Sequence, residues 1–75
     1  MEAWRTYTPD GRMLEVEYTA GEWIASCGGT RAVGASALEA ITDALGTNHA
    51  SIVASEPALG AWAAEHAARL ESEAG

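Results

Sequence analysis

The stretch Met13-Leu14-Glu15-Val16-Glu17-Tyr18, followed by Ala20-Gly21 and then Glu22-Trp23-Ile24-Ala25-Ser26-Cys27, decides the fold class. In its first part Leu14, Val16 and Tyr18 alternate with Glu15 and Glu17, the period of two expected of an antiparallel strand with one solvated face. Ala20-Gly21 supplies a turn. Beyond it Trp23, Ala25 and Cys27 alternate with Ile24 and Ser26, which marks a strand without saying which set points inward.

Working outward, Trp4 to Thr8 reads as a preceding strand closed by Pro9-Asp10-Gly11, whose proline fixes φ and whose glycine accepts positive φ. Gly28-Gly29 ends the third strand, and Thr30 to Val33 forms a short fourth. The expectation is a three- to four-stranded antiparallel β-meander within residues 3–33, with one apolar face to cover.

From Ala35 onward alanine recurs at helical spacing. Ser36 with Glu39 three residues later has the spacing of a capping box, so a helix is predicted at about 37–45, with Leu38, Ile41 and Leu45 on one stripe and Gly46 at its left-handed end. Residues 47–55 read as a loop with room for one helical turn, because Thr, Asn and Ser flank Ile52 and Val53. A second helix is predicted at about 56–72, capped by Ser55 or Glu56, with Pro57 in its first turn. Leu59, Trp62, Ala63, His66 and Leu70 form its apolar face, and Glu65 and Arg69 make an i,i+4 pair. The fold class is therefore α+β, strands first and two helices after, in a single small domain over 1–75.

Composition sets a tension within that fold. Leu, Ile and Val total 11 of 75 residues and Phe is absent. That is about 15%, below the roughly 20% at which a charged chain begins to resemble a disordered one. The hydrophobic fraction of 48% is largely alanine. Small domains usually add disulfides, a metal or a partner, and the single Cys27 forbids an internal disulfide. A homo-oligomer or a domain completed by a protein partner, a toxin or a host protein, is the expectation.

Four Arg, no Lys and 11 acidic residues give a net charge of −7, which opposes a phosphate backbone and speaks against direct nucleic-acid binding. No apolar run is long enough for a membrane span, and Met1-Glu2-Ala3-Trp4 does not open a signal peptide, so a cytoplasmic protein is expected. Abundant Ala and Gly without Lys fits GC-rich coding, as in actinobacteria or their phages.

Candidate chemistry is sparse. Cys27 with His49 or His66 could be assembled into a nucleophilic triad or a metal site, but the spacings match no compact ligand motif, and a lone cysteine at a strand end is more often a small buried hydrophobe. Cys27-Gly28-Gly29-Thr30 lacks the lysine of a phosphate loop. Neither a cofactor nor catalysis is expected. Trp4, Trp23 and Trp62 are more informative, since three indoles crowd so small a core and an exposed Trp anchors interfaces. The expected protein-binding residues are Trp62, His66, Leu59 and Leu70 on the last helix, together with Trp4. Two alternatives stand beside this reading, a small cysteine-dependent enzyme built on Cys27 and a nucleic-acid mimic; for the mimic, residues 1–34 carry five acids and three Arg, net −2, whereas residues 35–75 carry six acids and one Arg, net −5.

The succession Leu14-Glu15-Val16-Glu17-Tyr18, then Gly21-Glu22-Trp23-Ile24-Ala25-Ser26-Cys27, then Gly34-Ala35-Ser36-Ala37-Leu38-Glu39-Ala40-Ile41 resembles the N-terminal region of HicB-like antitoxins. The likeness lies within residues 14–45, with a first hairpin added in front. It implies a partial ribonuclease-H-like fold without catalytic residues, one that holds a toxin nuclease in check.

Overall fold

The alternating segments become four strands, β1 (Glu2–Tyr7), β2 (Met13–Thr19), β3 (Glu22–Cys27) and β4 (Thr30–Gly34), in a computed structural model that describes residues 2–74. They form one antiparallel sheet in the order β1-β2-β3-β4. The register aligns Trp4, Val16, Ala25 and Ala32 in one row, Tyr18, Trp23 and Gly34 in the next, and Leu14 beside Cys27. All of these point to the same face, which settles the ambiguity of β3: Trp23, Ala25 and Cys27 are buried, and Ile24 is on the other side.

The first strand is shifted from its expected bounds, because Thr8 belongs to the turn. Its backbone N–H donates to the Arg12 carbonyl at 2.8 Å, its hydroxyl accepts from the Arg12 N–H at 3.0 Å, and the same hydroxyl donates to the Asp10 carboxylate. That hydroxyl and the Arg12 guanidinium, 2.9 Å from Asp10, hold the Asp10 carboxyl below the usual carboxylate range. At the β2–β3 turn Ala20 takes φ 51° beside Gly21, a left-handed conformation that a side chain disfavours.

Two helices cover the inner face. α1 (Ala37–Ala44) packs on β3 and β4 and is capped by Ser36, whose hydroxyl accepts from the Glu39 N–H at 3.2 Å. Contact with the sheet is close at Gly34, where a Cβ would stand 2.8 Å from the Ala40 nitrogen. α3 (Pro57–Ala74) packs beside α1 and contributes Ala63, Ala67 and Leu70 to the core that holds Leu14, Val16, Trp23, Ala25, Ala40 and Ile41. Glu71 ties the helices together: its carboxylate accepts from the Ala37 N–H at 3.1 Å, placing an anion at the positive end of α1.

The expected loop at 47–55 is instead a third helix, α2 (His49–Ser55). Asn48 starts it by accepting from the Ser51 N–H at 2.9 Å, so the polar residues flanking Ile52 act as caps rather than as turn formers. Only Glu56 separates α2 from α3; Pro57 bars it from helical geometry, and it sits at φ −138°, ψ 75°. The two helices meet so closely at Gly60 that a Cβ there would lie 2.9 Å from a Val53 methyl. Gly60 thus serves helix packing: the missing side chain is what lets α2 and α3 approach.

Candidate functional site

The sheet has a second face, and none of the helices among the described residues covers it. The side chains of Ala3, Arg5, Tyr7, Met13, Glu15, Glu17, Ile24, Ser26, Arg31 and Val33 project there, opposite to the buried set. One row runs Ala3, Glu17, Ile24, Val33, and the next runs Arg5, Glu15, Ser26, Arg31. Tyr7 is 63% exposed, Val33 54% and Met13 43%, a high apolar content for a solvated face. Arg5 lies 3.6 Å from Glu15 across the β1–β2 ladder, so the charges of this face are partly paired with one another.

The residues expected to bind a partner divide. Leu59 and Leu70 are buried in the chain's own interior. His66 is also buried, at 5% exposure, while Trp62 and Trp4 are half-buried. Trp4 stacks on Trp23 at 5.9 Å between ring centroids, and Tyr18 lies 4.5 Å from the same indole, so Trp4 belongs in part to the inner face. Trp62 stacks on His66 at 5.1 Å and 13° between ring planes.

His66 forms a small polar site on α3. Arg69, which its spacing would pair with Glu65, instead donates to Nδ1 of His66 at 3.0 Å. The proton of the neutral ring therefore resides on Nε2, which is buried without a hydrogen-bond partner. Burial pushes the His66 pKa down, the Arg69 charge lowers it further, and Glu73 opposes both. Trp62, Glu65, His66 and Arg69 line a shallow hollow of about 140 Å³ beside this stack.

The other reactive residues stand apart. Cys27 is buried in the core at the end of β3, His49 begins α2, and no hydrogen bond joins Cys27 to either histidine among the described residues. Nor do three or more His, Cys, Asp or Glu gather closely enough to hold a metal ion among those residues. No helix described is long and apolar enough to cross a membrane.

No protein family, curated protein or solved structure matches this chain. The outer sheet face is the surface that sequence reasoning missed. Its signal was Ile24, an aliphatic residue opposite in phase to Trp23, Ala25 and Cys27 within one strand.

Proposed function

We propose that this chain is a non-enzymatic acidic protein-binding module, an antitoxin-like or phage-type regulator that acts in the cytoplasm and inhibits a protein partner held on its outer sheet face. The observation that carries this reading is the uncovered face itself, where Tyr7, Met13, Ile24 and Val33 are presented among charged side chains. An apolar patch rimmed by charge is the usual anatomy of a protein-binding surface. The resemblance of residues 14–45 to HicB-like antitoxins supports the same class. The net charge of −7 favours a basic partner and accelerates its encounter.

The test is affinity capture from the native host with the wild-type chain and with Ile24→Lys and Val33→Asp. Loss of the same captured protein in both variants, with folding retained, supports the reading. Equal capture by all three chains overturns it. A second reading, a nucleic-acid mimic, draws on the helical half with its net charge of −5. It predicts instead that Glu65→Gln and Glu73→Gln weaken capture of a nucleic-acid-binding protein, and that the outer-face changes do not.

A further inference from the structure

Spacing along α3 predicts an ion pair between Glu65 and Arg69, in the favourable order with the glutamate N-terminal. The structure holds Arg69 elsewhere: its Nη2 donates to Nδ1 of His66 at 3.0 Å, and no ion pair joins it to a carboxylate among the described residues. Yet Glu65 lines the same hollow as His66 and Arg69, about one helical turn from the arginine. One guanidinium thus has two acceptors in reach. Carboxylates keep their charge where imidazoles titrate, so only the histidine changes with pH in that range.

His66 is fixed on its other sides. It is buried, its ring stacks on Trp62 at 5.1 Å with 13° between planes, and its Nε2 is enclosed without a partner. The neutral ring already carries its proton on Nε2, so an added proton arrives on Nδ1, from the hollow. There it turns the acceptor of the Arg69 bond into a donor and sets a cation against a cation. The indole face attracts an imidazolium more strongly than a neutral ring. Stacking therefore retains the histidine, and the exposed arginine is the group that moves.

The remaining charges stand to the side. On α3, Glu73 favours the imidazolium. Gly60 meets α2 and Glu71 meets α1, so at 100° per residue those helices, with His49, Glu39 and Asp43, pack on the side of α3 turned away from Arg69. Leu59 lies by Pro9 and Asp10, and Ala74 by Tyr18 and Trp23, which sets His66 at the level of Trp4, Thr6, Leu14 and Val16, none of them titratable. Glu2 and Tyr18 share the row at one end of that ladder, and Asp10, Arg12 and Glu56 lie at the other. Among the described residues the ring's one hydrogen bond is the one from Arg69.

We infer that Arg69 is a proton-operated latch: it closes on Nδ1 of neutral His66 and passes to the Glu65 carboxylate when that nitrogen is protonated, opening the hollow beside Trp62. The pair that the spacing predicts is thus the acid form of this surface, and the pair observed is its neutral form. The latch lies on α3 and does not depend on a partner at the outer sheet face.

Side-chain NMR of the isotope-labelled full chain from about pH 8 to about pH 5 measures it, through the His66 ring and the Arg69 Nε–H. Both should titrate with one midpoint, below the ordinary imidazole value of about 6.5, since burial and the Arg69 charge favour the neutral ring. At the acid limit, nuclear Overhauser contacts should join the Arg69 Cδ protons to the Glu65 side chain. His66→Gln keeps an acceptor that does not titrate, and there the Arg69 signal should stay flat over the same range. If His66→Gln fails to fold, Glu65→Gln decides: it should cut the pH-linked shift of the Arg69 signal at least twofold. The inference is overturned by an Arg69 signal that ignores the His66 titration, by one that titrates equally in His66→Gln, or by an undiminished shift in Glu65→Gln. A His66 ring that stays neutral down to about pH 5 overturns it as well.

Discussion

The two faces of the sheet are built from the same four strands by alternate residues, yet they have opposite fates. On the inner face Leu14, Val16, Ala25 and Cys27 vanish beneath α1 and α3. On the outer face Tyr7, Met13 and Val33 remain in water next to Glu15, Glu17 and Arg31. Strand alternation therefore defines two surfaces, and the position of the helices chooses the core. An apolar residue on the side left uncovered contributes little to folding and is free for recognition.

The sharpest way to break this contrast is to truncate matched positions. Leu14→Ala should cost about 2–5 kcal/mol in urea unfolding, as large-to-small changes in closed cores do. Ile24→Thr on the outer face should cost under about 1 kcal/mol. Equal losses would mean that the outer face is also packed in solution. Next in size, Gly34→Val forces a side chain into the 2.8 Å contact with Ala40 and should cost about 1–3 kcal/mol, whereas Ser26→Val on the outer face should leave the thermal midpoint nearly unchanged.

A pH series probes the margin of the core. His66 has a lowered pKa in the folded chain, so the unfolded chain binds the proton more readily. Its contribution is fully present above the ordinary imidazole value of about 6.5 and is lost as pH falls from there through the folded value. The slope of stability against pH over that window should flatten in His66→Phe. An unchanged slope would place the titration elsewhere. The smallest effect is a gain: Ala20→Asn, at φ 51°, should add about 0.5–1 kcal/mol by relieving the left-handed strain of the β2–β3 turn.

Much of the architecture was legible because local signals agreed with the global fold. The alternation over Met13 to Tyr18, the strand at Glu22 to Cys27 and the Ser36 cap all appear at their predicted places. α2 was not legible, since its seven residues bury only Ile52 and leave no periodic stripe, while Asn48 suits a turn as well as a cap. Glu71 shows the same limit, one carboxylate among eleven until tertiary packing brings it to Ala37. At the candidate site, Leu59, His66 and Leu70 were correctly placed on the apolar stripe of the last helix, but that stripe is spent within the chain. The outer face could not be read from the strand pattern, because Ile24 is as aliphatic as a core residue and only the side taken by α1 distinguishes it.

Six of the fourteen buried apolar residues among those described are alanines: Ala25, Ala37, Ala40, Ala44, Ala63 and Ala67. An alanine side chain has no rotamers to lose, whereas a buried leucine or isoleucine gives up about 0.5–1 kcal/mol of torsional freedom. The thin core thus hides less surface than an aliphatic one, and it also freezes fewer torsions. Where the sheet meets α1 at Gly34 and Ala40, backbone approaches backbone, so the fit there is set by chain geometry with few side-chain conformers left to choose among.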